Sequence, residues 1–201
     1  MAAKTPDGRP IVPLTPMHKA LATFEGKWKI SHKFYTGPDA KPLLAHGHTT
    51  CRVVLNGLAV YMESELDNGY KAVVMSTWNP TTGRYEGVFM DLHSFDGFDP
   101  LIGMPTAHIP VAKNSSHNLS DSSLLKPGQP VRERVWNGRL TTPRMAALAA
   151  GAPLQLAGVD EVPAQIVEHQ VSADEWMLLC VAPDETGAQF VMVENTYTRA
   201  S

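Results

Sequence analysis

The chain has few of the features that mark secreted, membrane-spanning or nucleic-acid-binding proteins. It has only 2 cysteines in 201 residues, Cys51 and Cys180. Two thiols, each inside an apolar run, make no disulfide framework and are expected to be buried and inert. No apolar stretch approaches the ~18 residues of a membrane helix. Residues 1–14 hold Lys4 and Arg9 but lack the apolar centre of a signal peptide. Lys plus Arg number 17 against 20 for Asp plus Glu, a net charge of −3 with no basic block. Nucleic acid and membrane are therefore not expected as partners, and the expected location is the cytoplasm. Gly-x-Ser-x-Gly, Gly-x-Gly-x-x-Gly, a phosphate-binding loop, Cys-x-x-Cys and His-Glu-x-x-His are all missing. That argues against the common hydrolases, dinucleotide enzymes, NTPases and thiol oxidoreductases.

What is present is an apolar, turn-rich chain: 43% hydrophobic, 18% charged, with 15 Gly and 16 Pro. That is enough to bury a core and suits one domain over 15–201 behind an extended segment 1–14. Thr15-Pro16 reads as an N-cap with proline at the first helical position. Met17, Ala20, Leu21 and Phe24 follow at helical spacing, and Gly26 ends a helix of about ten residues. The period then falls to two. Trp28, Ile30, His32 and Phe34 alternate with Lys27, Lys29, Ser31 and Lys33, a half-buried strand. Strands are expected over 43–55, 58–66, 70–78 and 84–95, divided by Asn56-Gly57, Asp67-Asn68-Gly69 and Asn79-Pro80-Thr81-Thr82-Gly83. Further strands are expected over 131–140, 165–171, 175–182 and 189–198, roughly nine in all. Two stretches, about 96–130 and 141–162, read as insertions. The first is a long loop, either a lid or a surface excursion; the second contains a short helix over 144–150. A meander of this kind covers its apolar face by curling into a barrel, which also removes the sheet edges.

Several of these residues resemble a known family. His18-x-x-Leu21-x-x-Phe24-x-Gly26-x-Trp28, Val54-Leu55-Asn56-Gly57, Trp78-Asn79 through Tyr85, Phe89-Met90-Asp91, and the run from Val191 to Arg199 are similar to the bacterial family called domain of unknown function 1579. The resemblance spans about 15–95 and 163–199. It implies an all-β, lipocalin-like (calycin) antiparallel up-and-down barrel with a short N-terminal helix and a long inserted loop. Barrels of that group hold small apolar ligands. No agreed catalytic set comes with the family.

Ionisable residues in phase with core residues carry the expectations about chemistry. Asp91 and His93 share one face of the fifth strand with Tyr85 and Phe89, and a carboxylate beside an imidazole is the minimum for acid–base work. A rim carboxylate holding backbone or Arg partners is the plain alternative. Glu194 shares a phase with Phe190, Met192 and Thr196, so it is expected to point inward as a second acid–base group. His46 and His48 share a face with Arg52. The His-x-His spacing invites a metal, with Glu63, Glu65, Asp91 or His93 to complete it; the plain alternative is a polar strand near the barrel mouth. Arg52 can hold a ligand's anionic group. His32, in phase with Trp28 and Phe34, is an interior or rim residue. Trp78, Trp136, Trp176, Tyr85 and Phe89 are candidate walls for an aromatic ligand. The haem-binding calycins use a histidine near the C-terminus; the last histidine here is His169.

The resulting expectation is a cofactor-independent isomerase, lyase or cyclase for a small apolar or aromatic metabolite. Asp91, His93 and Glu194 are its catalytic candidates; Arg52, His48, His46 and His32 contact the ligand. Alternatives are a non-catalytic carrier or sensor and a metal- or haem-binding barrel. Apolar residues on both faces of 84–95 suggest a homodimer.

Overall fold

A computed structural model describes residues 6–8, 11–92, 99–104, 133–143, 159–184 and 186–201. One short helix, α1 (Pro16–Ala22), precedes ten strands: β1 (Gly26–Phe34), β2 (Leu43–Val54), β3 (Ala59–Leu66), β4 (Lys71–Asn79), β5 (Arg84–Asp91), β6 (Asp99–Met104), β7 (Glu133–Pro143), β8 (Val159–Gln170), β9 (Glu175–Pro183) and β10 (Gln189–Arg199). Every neighbouring pair is antiparallel, and β1 pairs with both β2 and β10. The sheet is thus a closed up-and-down barrel in chain order. Closure pairs every strand on both sides, which an open sheet of ten strands cannot do.

The first five strands fall where turn chemistry puts them. Around Asn56-Gly57 the backbone is left-handed from Leu55 (φ 52°) through Gly57 (φ 95°). Gly47 is needed for a different reason: a Cβ there would run into the Glu65 carbonyl of β3. The expectation of a loop from residue 96 is corrected by β6, which pairs with β5 and β7. Strands β7 and β8 also reach into the second expected insertion from both sides, ending at Pro143 and beginning at Val159. The expected helix over 144–150 and the remainder of the 96–130 stretch lie outside the described residues.

Helix α1 is shorter than expected, 7 residues, and is capped by a box in which Thr15 Oγ1 accepts from the His18 backbone and His18 Nδ1 accepts from the Thr15 backbone. It packs on β3 and β4 and stoppers one end of the barrel. Leu21 and Phe24 meet Trp28, Trp176 and Tyr197 there. Trp176 stacks on Tyr197 with centroids 3.6 Å apart, and Phe24 meets it edge-on at 4.9 Å. This end is filled by aromatic carbon. A second buried cluster, Val167, Met177, Leu179, Val181 and Val191, lies on the outer wall of β8, β9 and β10. Among the described residues, no helix is long and apolar enough to cross a membrane.

Candidate functional site

Register decides which groups meet inside. Trp28 pairs with Thr49 and Ile30 with Tyr197, all buried, so the even positions of β1 and the odd positions of β2 face the interior. On β5 the inward phase is Tyr85, Gly87, Phe89 and Asp91, because Tyr85 is fully buried in the core and Phe89 packs against it. Asp91 therefore faces inward, which alternation alone leaves open because Val88, Met90 and Leu92 make the other phase apolar too. Tyr70 Oη donates to Asp91 Oδ2 at 2.7 Å. Burial, reinforced by the Asp91 charge, pushes the Tyr70 phenol well above its ordinary range, so it stays protonated.

His32 also faces inward. Its Nδ1 lies 2.7 Å from Asn195 Oδ1, and Asn195 Nδ2 donates to Tyr197 Oη at 3.1 Å. The His32 ring lies nearly parallel to Tyr70, 19° apart with centroids at 6.3 Å. Desolvation lowers its pKa and so favours neutral imidazole, opposed in part by the Asn195 hydrogen bond. A polar row thus runs along the inner wall, from Asp91 through Tyr70 and His32 to Asn195 and Tyr197. Its surroundings are apolar: Val74, Phe89, Ile166 and Leu178 all pack on the core. Thr49 and Ser64, also inside, satisfy each other at 2.7 Å. Glu168 is buried on the inward phase of β8, opposite Leu178, and its negative charge is felt at Tyr197.

Other expected site residues fall elsewhere. His93 lies outside the described residues. Trp136 pairs through its backbone with Gly103 and Ile166. Trp78 and Tyr85 line the interior as an edge-on pair at 4.9 Å, and Trp176 belongs to the aromatic stopper. The inward expectation for Glu194 is corrected. It is buried, but on the outer phase with Leu179, and it accepts from Lys33 Nζ at 2.7 Å. A register shift between Val191 and Val193 reverses the parity of β10, so Phe190 and Glu194 face opposite sides although they are four apart.

His46, His48 and Arg52 are exposed on the outer wall. Arg52 lies over the Tyr61 ring at 5.0 Å and 3.9 Å from Glu63, so the role of interior ligand anchor does not fit its position. His48 borders an outer groove of about 390 Å³ with Thr50, Glu63, Glu65 and Lys71. Lys71, 2.9 Å from Glu65, holds that carboxyl below the usual range. Among the described residues, no three His, Cys, Asp or Glu side chains converge on a common point.

Tyr70, Asn195, Tyr197 and Glu168 escaped sequence reasoning. Asn195 and Tyr197 had a usable signal, since they share the phase of Val193 beyond the shift and pair with His32 and Ile30 of β1. Tyr70 stands one residue before β4, where alternation is not yet established.

Residues 14–96 match a family described as a protein of unknown function, DUF1579. The resemblance drawn from His18 to Asp91 holds over that stretch. No curated protein matches the chain. Two solved structures are similar: a redesigned beta barrel, at 8% identity over 94% of this chain and 100% of that one with a TM-score of 0.29, and a protein of unknown function from the DUF3598 family of Nostoc punctiforme PCC 73102, at 7% identity over 93% and 100% with a TM-score of 0.26.

Proposed function

We propose that the barrel binds a small, largely apolar or aromatic metabolite along its polar inner row and moves a proton on it, as an isomerase, lyase or cyclase does. One observation carries this reading: His32, Asn195, Tyr70 and Asp91 form a single row on the inner wall, between apolar side chains. A neutral imidazole is a competent base near neutral pH, and a carboxylate in the same row gives a second proton site. His32 takes the proton from the ligand, the Asp91 carboxylate in the same row favours the imidazolium that forms, and the imidazolium gives the proton back. In an isomerisation the proton returns to a different atom of the same molecule, so no outside acid is consumed. His32 takes the role first assigned to His93, and Asp91 keeps its own.

The test starts with the full chain purified natively. Small molecules are extracted from it, identified by mass and returned to the protein in heavy water. Deuterium is expected at carbon in the recovered compound, with His32→Gln and Asp91→Asn each slowing its uptake at least ~100-fold, the usual scale of a lost acid–base group. A compound that binds and returns with no deuterium would show a carrier. Unchanged uptake in both variants would end the assignment of His32 and Asp91.

A further inference from the structure

We infer that Asn195 fixes His32 in the tautomer whose Nε2 carries the lone pair, so that the barrel's ligand presents a hydroxyl hydrogen to that atom. This deepens the function proposed above and rests on it for the ligand.

Asn195 Nδ2 lies 3.1 Å from Tyr197 Oη, and Asn195 Oδ1 lies 2.7 Å from His32 Nδ1. An amide oxygen only accepts, so His32 Nδ1 must carry hydrogen. The amide is oriented by its two partners together: Nδ2 donates to the Tyr197 phenolic oxygen and Oδ1 faces His32. The reverse amide would put its oxygen at Tyr197 and hand His32 a donor. Neutral imidazole has one N–H, so hydrogen at Nδ1 leaves Nε2 as an acceptor. Among the described residues no donor reaches Nε2. Burial disfavours charging the ring, so Nε2 is left as an acceptor that an entering group can use. A phenol, enol or alcohol supplies the missing hydrogen; an ether or ketone of the same shape does not. Asn195 acts through His32 and is a positioning residue.

Nitrogen NMR of the full chain with ring-labelled histidine reads this directly, with His32→Gln identifying the signal. At neutral pH the unliganded protein is expected to show His32 protonated at Nδ1 and bare at Nε2. Asn195→Leu is expected to lose that tautomer. Asn195→Asp, whose carboxylate likewise accepts from Nδ1, is expected to keep hydrogen at Nδ1 and shows that the fold tolerates change there. Added 4-methylphenol is expected to move the Nε2 signal, and 4-methylanisole to bind about tenfold more weakly, the effect of one lost hydrogen bond. Hydrogen at Nε2 in the unliganded protein overturns the inference. So does equal binding of the phenol and its ether, which leaves the binding function standing. If neither probe perturbs His32 or Trp78, ligand binding at the row fails, and the hydroxyl assignment with it.

Discussion

Arg199 lies across Trp28, its guanidinium carbon 4.3 Å from the indole centroid. The same group donates to the Ala173 carbonyl at 2.9 Å, the Glu25 carbonyl at 3.1 Å and Asp174 Oδ1 at 2.9 Å. One side chain thus ties the end of β10 to the start of β1 and to the turn before β9. Gly26 makes room for it, since a Cβ there would come within 2.6 Å of Arg199 Nη1.

Arg199→Met is expected to keep the fold but lose roughly 2 kcal/mol, from the cation–π contact and three exposed-to-half-buried hydrogen bonds. Urea unfolding should show a lower midpoint with an unchanged slope. A midpoint equal to the wild type would remove the clasp from the account of stability.

On the outer wall the buried Glu194 carboxylate pairs with the exposed Lys33 ammonium, with side chains 6% and 37% exposed. Lys33→Met is expected to destabilise by about 1–2 kcal/mol, discounted for the exposed ammonium, because the carboxylate stays buried without its partner. Lys33→Met with Glu194→Gln should recover part of that loss. The hydrogen bond to Glu194 raises the Lys33 pKa. Its stabilisation is therefore present below about 10.5 and fades as pH rises through the higher folded value. Alkaline titration of the double variant, compared with the wild type, measures that portion.

His32 titrates in the opposite sense. Burial lowers its pKa from the unfolded value of 6.5, so in acid the unfolded chain takes up the proton first. Its contribution is full above 6.5 and is lost as pH falls from there toward the folded value. His32→Gln should flatten the loss of stability just below pH 6.5. Parallel curves for the two proteins would show that the ring is hydrated.

Cys51 and Cys180 are both free and buried. Burial pushes the Cys180 thiol up to about 12, which leaves almost no thiolate at neutral pH. Native protein is expected to react with essentially no thiol reagent, and urea-unfolded protein with 2 equivalents, its whole cysteine content. Fast labelling before unfolding would contradict a dry interior at β9.

Turn chemistry made the first five strands legible, and alternation put Asp91 on one face with Tyr85 and Phe89, although the apolar Val88, Met90 and Leu92 opposite left open which face is inside. Three things were hidden, each for a physical reason. Strand β6 follows Asp96-Gly97 and contains Pro100, residues that read as loop unless a neighbouring strand supplies hydrogen bonds on both sides. On β2 the outward set of His46, His48 and Arg52 alternates with Ala45, Gly47, Thr49 and Cys51, small residues whose inward direction only the pairing with β1 reveals. For Glu194, the shift after Val191 breaks the alternation that would place it inside. Sequence phase holds only while a strand keeps step with its partner.

The ring closes by joining its first strand to its last, so Trp28 waits for Arg199, its register partner 171 positions later. While the chain is being synthesised, β1 has only β2 beside it, and the aromatic stopper lacks both Trp176 and Tyr197. Ring closure thus depends on the largest sequence separation in the sheet, a non-local pairing of the kind that slows folding and leaves apolar surface open to a chaperone until it forms.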